Sequence, residues 1–207
     1  MVTIDDIRQA ADRIGDKVHR TPVLTCAALD AAAGASLFFK CENFQKVGAF
    51  KMRGATNAVL SLSDGQAARG VATHSSGNHG AALAMAAGQR AIPATIVMPA
   101  NAPSVKKAAV HGYGASVIEC EPTLAAREQT LAEVISATGA RVVHPYDDAR
   151  VIAGQGTTGL EILEQVPDLQ AVAVPVGGGG LLAGVALAIK SLRPEVAVIG
   201  VEPAGAD

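Results

Sequence analysis

Short apolar, β-branched runs alternate along the chain with Ala-rich stretches of helical length. Their periodicity predicts strands over residues 37–41, 70–73, 94–98, 115–119, 141–143, 171–176 and 196–201. Helices are predicted between them, over 78–87, 103–111, 124–137, 157–165 and 181–192. This alternation predicts an α/β fold, with open, twisted, mostly parallel sheets and helices on both faces. The unbroken apolar character of AVAVPV (171–176) and VAVIGV (196–201) predicts strands buried on both faces. Ligands of such sheets lie outside the carboxyl ends of the strands, so loops running from a strand into a helix carry the chemistry. Two of those loops have unusual composition: HSSGNHG (74–80) and GGGG (177–180).

Composition narrows the class. The 207 residues are 49% hydrophobic and 17% charged, which excludes a disordered chain. Seventeen Lys+Arg against nineteen Asp+Glu give a net charge of −2. There is no basic footprint for nucleic acid or an anionic membrane, and 3% aromatics with no Trp leave no base-stacking platform. Cys26, Cys41 and Cys120 lie too far apart for a zinc knuckle or a disulfide framework. Residues 171–189 are uncharged, but Pro175 and four consecutive glycines interrupt them. Each interior Gly costs a helix about 1 kcal/mol and Pro about 3 kcal/mol, so a membrane-spanning helix is not expected. The N-terminus has no basic region followed by an apolar run, so a signal peptide is not expected either. A soluble, cytoplasmic protein is the expectation.

Gly177, Gly178, Gly179 and Gly180 follow a predicted strand and precede a predicted helix. Bare backbone amides at a helix start favour an anion, so the run reads as a phosphate cradle. The spacing Gly178-x-Gly180-x-x-Ala183, with Glu202 at the end of the next strand, also satisfies the looser dinucleotide fingerprint. A nicotinamide oxidoreductase therefore stays open on this segment. No G-K-[ST] follows the glycines, which removes P-loop chemistry.

In AFKMRGATNAVLSL (49–62), helical periodicity places Lys51 on the stripe of Ala55, Ala58 and Leu62 and turns Arg53 to the opposite, solvent side. Burial lowers an ammonium pKa and makes the amine a usable nucleophile or base. A lysine that lays its stem on apolar surface and reaches water with its head is the simpler reading of periodicity alone. In the other loop, Asn78 reads by default as a helix N-cap. Ser75, Ser76 and His79 add short hydrogen-bonding groups around it. No G-x-S-x-G elbow or H-E-x-x-H pattern is present, and His19, His111 and His144 are isolated.

Three segments together, NFQKVGAFKMRGA (43–55), THSSGNHG (73–80) and PVGGGGLLAG (175–184), resemble the fold-type-II pyridoxal-phosphate enzymes. The resemblance is to their threonine/serine dehydratases and serine racemases, and HPYDDARVIAGQGTTGLEIL (144–163) and IVMPANAPSVKKAAVHGYGA (96–115) extend it along nearly the whole chain. It favours pyridoxal phosphate over a dinucleotide. It implies that Lys51 forms the internal Schiff base, that Phe50 packs on the cofactor ring, and that Asn78 hydrogen-bonds the ring's 3-oxygen. The amides of Gly177, Gly178, Gly179, Gly180 and Leu181 would hold the phosphate. Ser75, Ser76, Asn78 and His79 would line the substrate carboxylate, with Ser76 as the second acid/base in the racemase branch. Tyr146 stands where the racemase pattern places an Asn, which leans toward a dehydratase.

The implied reaction takes a hydroxy amino acid (threonine, serine or 3-hydroxyaspartate) to a 2-oxo acid and ammonia, with serine racemisation as the alternative. Glu202 and the carbonyl of Ala206 match the family's divalent-cation loop (Mg, Ca or Mn), whose second carboxylate would fall at the next position, past residue 207. The resemblance further implies a large cofactor domain over 1–69 and 148–207, a small domain over 70–147, and a homodimer. Family members continue past this point, so the expectation is a C-terminally truncated large domain with weakened cofactor affinity, or an inactive fragment.

Overall fold

The structure is a computed structural model and describes residues 1–205. In chain order the first elements are α1 (Ile4–Ile14), β1 (Val23–Leu24), α2 (Ala27–Ala33), β2 (Phe39–Lys40), α3 (Lys51–Leu60) and α4 (Asp64–Arg69). Then come β3 (Val71–His74), α5 (Asn78–Gln89), β4 (Ala94–Pro99), α6 (Ser104–Gly112), β5 (Ser116–Cys120), α7 (Leu124–Thr138) and β6 (Arg141–Val142). The chain closes with α8 (Ala149–Gln165), β7 (Ala171–Pro175), α9 (Gly180–Leu192) and β8 (Ala197–Val201).

Four parallel strands in the order β5-β4-β3-β6 make the central sheet. Its side chains alternate between faces with period two. Val71, Ile96 and Met98 meet Ala82, Leu83 and Ala86 of α5, with Val110 of α6 in the same cluster. Ala72 and Val97 meet Leu131 and Val134 of α7 on the other face. Helices therefore cover both faces of this sheet, which lies wholly within residues 70–147. The antiparallel pair β1–β2 and the parallel pair β7–β8 lie outside that segment. The largest apolar cluster nevertheless crosses position 70, joining Met52, Ala55 and Val59 of α3 to α5 and β4.

Two expectations need correction. The strands at 171–176 and 196–201 are not buried on both faces. Val172 and Val174 pack with Ile162, Val185 and Ile189 on the side of α8 and α9. Ala171, Ala173 and Pro175 are exposed, and Ile199 and Val201 are 51% and 52% exposed. That open face borders an apolar groove of about 540 Å³ shared with Leu37, Phe39 and Phe50. Among the described residues no helix is long and apolar enough to cross a membrane.

The second correction is Arg53, expected to face solvent and in fact fully buried. The reason is that α3 has no solvent face over Met52–Val59, all eight residues being buried. The guanidinium donates to Glu42 at 2.7 and 2.8 Å and to Glu161 at 2.6 and 3.0 Å. Lys40 also binds Glu161. Burial alone would raise the Glu161 pKa, but the Arg53 and Lys40 contacts override it and hold the carboxyl below its usual range.

Helices α3, α8 and α9 cross at small residues. A Cβ on Gly154 would stand 2.6 Å from Gly54 Cα, and one on Gly184 would stand 2.5 Å from the Ile152 carbonyl. Gly184→Ala is therefore expected to destabilise the protein by about 1–3 kcal/mol through overpacking. A urea titration checks this, the midpoint falling at unchanged slope. An unchanged midpoint would show that α8 and α9 can separate freely.

Candidate active site

The chain enters α3 through two short 3-10 turns, Glu42–Phe44 and Lys46–Gly48. Val47 and Gly48 both adopt left-handed backbone, at φ 57° and 70°. A β-branched residue rarely occupies that region, so the bend is over-determined by its surroundings. It delivers Lys51 as the first residue of α3. Lys51 is half-buried, its Nζ donates to the Pro145 carbonyl at 2.6 Å, and it lies 5.1 Å from the centre of the Phe50 ring. Burial pulls its pKa below the ordinary lysine value. Among the described residues no carboxylate pairs with it, in contrast to Lys40, whose ammonium is paired to Glu161.

The HSSGNHG loop leaves the carboxyl end of β3. Gly77 is the N-cap of α5 and provides no side-chain cap, which corrects the default reading of Asn78. Asn78 is instead the first helical residue, exposed, and its side chain forms no hydrogen bond among the described residues. Ser75 Oγ accepts from the Gly77 amide at 3.3 Å. Ser76 is half-buried, and its hydroxyl has no partner among the described residues. Gly80 is required by close packing, since a Cβ there would stand 2.6 Å from the Ser75 carbonyl.

His79 does not line the open side of the loop. One position beyond Asn78, the helix turns it inward, and it is 3% exposed. Its Nε2 lies 2.9 Å from the Val143 carbonyl, which can only accept, so the proton sits on Nε2. Nδ1 is buried with no partner. Burial pushes the His79 pKa down to about 4, against a partial rise from the Val143 bond and with the Lys51 charge lowering it further. Between pH 6.5 and 4 the unfolded chain therefore binds a proton at this position and the folded chain does not. Stability falls as pH drops through that window, by roughly 3 kcal/mol from this group. His79→Gln should flatten the urea-midpoint profile between pH 6.5 and 4 relative to the parent. Parallel profiles would count against this assignment.

The glycine run follows β7. Gly179, at φ 82°, is the N-cap of α9, and Gly180 opens the helix. The amides of residues 177–181 donate to no acceptor among the described residues. They sit at the positive end of α9, where an anion is favoured. Space around Gly177 and Gly179 is open, whereas Gly178 and Gly180 are in close contact with Tyr146. That tyrosine belongs to the turn 144–147. His144 Nδ1 accepts from the amides of Tyr146 (3.4 Å) and Asp147 (2.8 Å), and the two rings meet edge to face at 4.6 Å.

A phosphate-bearing aldehyde fits this donor set. Among the described residues, Lys51 offers a half-buried amine without a counter-ion, and α9 offers amides without an acceptor beside open space. Sequence reasoning missed the Pro145 carbonyl as the amine's acceptor, since a backbone atom has no residue signature. It also missed the Arg53 ion cluster, because charge on a short helix reads as solvent-facing. Glu202 is exposed just beyond β8, and Ala206 lies outside the described residues. Among the described residues no group of His, Cys, Asp or Glu is placed to hold a metal.

A lysine of this kind beside a glycine-built anion cradle, in an α/β fold of parallel strands and helices, defines the class of fold-type-II pyridoxal-phosphate proteins. The chain belongs to the pyridoxal-phosphate dependent enzyme family, which it matches over residues 14–207. That membership replaces the nicotinamide reading of the glycine run. The chain is 55% identical to a serine racemase of Arabidopsis thaliana, covering 97% of this chain and 61% of the relative. It is 54% identical to a beta-hydroxyaspartate dehydratase of Paracoccus denitrificans, covering 99% and 65% respectively. The structure of maize serine racemase superposes with a TM-score of 0.98 at 50% identity, covering all of this chain and 63% of that one. The chain thus spans somewhat under two thirds of the length of these relatives.

Proposed function

We propose that the protein acts on a hydroxy amino acid with pyridoxal phosphate, releasing a 2-oxo acid and ammonia. The observation that carries this reading is the half-buried amine of Lys51, which has no ion pair among the described residues and is held by the turn that packs on the glycine run. The similarity to a beta-hydroxyaspartate dehydratase supports it. When bound, the cofactor supplies a conjugated electron sink for the substrate's α-carbon. The chain's own groups do the rest. The amides of residues 177–181 hold the phosphate, and Phe50 and Asn78 flank the ring. Lys51 Nζ takes the α-proton, and burial, which lowers its pKa, favours the neutral amine that this step needs. Ser75 and Ser76 receive the substrate carboxylate at the start of α5, and His79 supports that loop from behind.

Serine racemisation is the second reading. Ser76 carries it: its hydroxyl has no partner among the described residues, and the family resemblance assigns it the acid/base role on the face opposite Lys51. The similarity to serine racemases of the same identity class favours it. Incubating the 207-residue chain and pyridoxal phosphate with serine, threonine and 3-hydroxyaspartate separates the two. Equimolar 2-oxo acid and ammonia supports the dehydratase reading. Inverted amino acid without 2-oxo acid supports the racemase reading. Neither product from a chain that binds the cofactor overturns both.

A further inference from the structure

The four glycines of the run are glycine for different reasons. Gly179 needs its left-handed backbone at φ 82°. Gly177 has open space where a Cβ would be. At Gly178 a Cβ would stand 2.1 to 2.5 Å from three atoms of the Tyr146 ring. At Gly180 it would stand 2.9 to 3.0 Å from the Tyr146 carbonyl oxygen, Cα and Cβ. Half of the run is therefore shaped by contact with one aromatic residue. The same turn carries Pro145, whose carbonyl accepts from Lys51 Nζ at 2.6 Å. His144 locks the turn by accepting two of its amides and by meeting the Tyr146 ring edge-on.

We propose that Tyr146 is a positioning residue for the cofactor site. Its ring, seated on Gly178, fixes the distance between the phosphate-holding amides and the amine that the adjacent Pro145 carbonyl holds. Tyr146 acts through Gly178 and through its own turn, by shape, and its hydroxyl is dispensable. The proposal rests on the assignment of Lys51 and the glycine run to pyridoxal phosphate.

Four variants test it: Gly178→Ala, Tyr146→Ala, Tyr146→Phe and the double variant Gly178→Ala/Tyr146→Ala. Pyridoxal phosphate is titrated into each, and its violet absorption band is followed with concentration and with pH. Gly178→Ala is expected to weaken binding about tenfold or more in the parent, and less than about threefold once Tyr146 is alanine. Tyr146→Phe should bind within about twofold of the parent. Tyr146→Ala should also shift the pH midpoint of the band, because the Pro145 carbonyl no longer has a fixed place beside Lys51. Tyr146→Phe should leave that midpoint unchanged. An equal loss from Gly178→Ala in both backgrounds overturns the proposal, as does Tyr146→Phe behaving like Tyr146→Ala. Either of those results, with parent binding intact, leaves the cofactor assignment standing. A parent chain that takes up no pyridoxal phosphate at all removes the assignment and this proposal with it.

Discussion

Lys51→Ala is expected to abolish the borohydride-sensitive violet band formed with pyridoxal phosphate, and to lower product formation by about 10³-fold or more. The amine is asked to do two things, to attach the cofactor and to move the α-proton, and alanine does neither. Lys51→Arg should fail nearly as completely, since a guanidinium stays protonated at every accessible pH and cannot act as a base. The fold should survive both changes. Among the described residues Lys51 makes no ion pair, and its one hydrogen bond goes to a backbone carbonyl. Circular dichroism and the urea midpoint provide that control. A Lys51→Ala chain that keeps the band would place the reactive amine elsewhere.

Removing the Arg53 side chain is expected to be the most damaging change to stability. Arg53→Met leaves Glu42 without both of its guanidinium bonds, its remaining side-chain partner being the Thr21 hydroxyl at 2.6 Å. Glu161 keeps Lys40 but loses two bonds. Breaking a buried pair by deleting one partner costs about 3–5 kcal/mol, a large share of the 5–15 kcal/mol that holds a typical domain folded. The cost belongs to the stranded carboxylates. Adding Glu42→Gln and Glu161→Gln to Arg53→Met should therefore recover much of the loss. Urea unfolding at pH 7 reads both steps. A loss below about 1 kcal/mol for Arg53→Met would show that water reaches the cluster.

Much of this architecture was legible because burial follows period. All seven predicted strands appear, each within two residues at each end, because β-branched runs between Ala-rich stretches leave few other ways to bury both. The strands at 37–41 and 141–143 shrink to the pairs Phe39–Lys40 and Arg141–Val142. The helix expected over 157–165 is the second half of α8. Its first half contains Gly154, pressed by α3, and Gly156, pressed by Ile7 of α1 and Gly184 of α9, contacts that periodicity does not show. The capping boxes Thr3/Asp6 and Ser63/Gln66, which start α1 and α4, are sequence signals left unread. Periodicity alone could not settle the direction of Lys51, and it put Arg53 on the wrong side. Helical phase says which residues share a face but not whether a second helix covers the other one.

The same limit explains the site. The glycine run and HSSGNHG stood out by composition, but the reason for Gly178 lies 32 positions away in the Tyr146 ring. His79 was read with its loop neighbours, whereas one step of helical rotation carries it into the interior.

Lys51 is the amine proposed to take the cofactor. Borohydride reduction of the chain mixed with pyridoxal phosphate, followed by peptide mass spectrometry, tests this most directly. A single dominant pyridoxyl adduct on Lys51 is expected. Lys40, also largely buried, should stay unmodified, because Glu161 holds its ammonium in an ion pair. A dominant adduct on Lys40, or one spread over exposed lysines with Lys51 unmodified, would show that Lys51 is not the cofactor's amine.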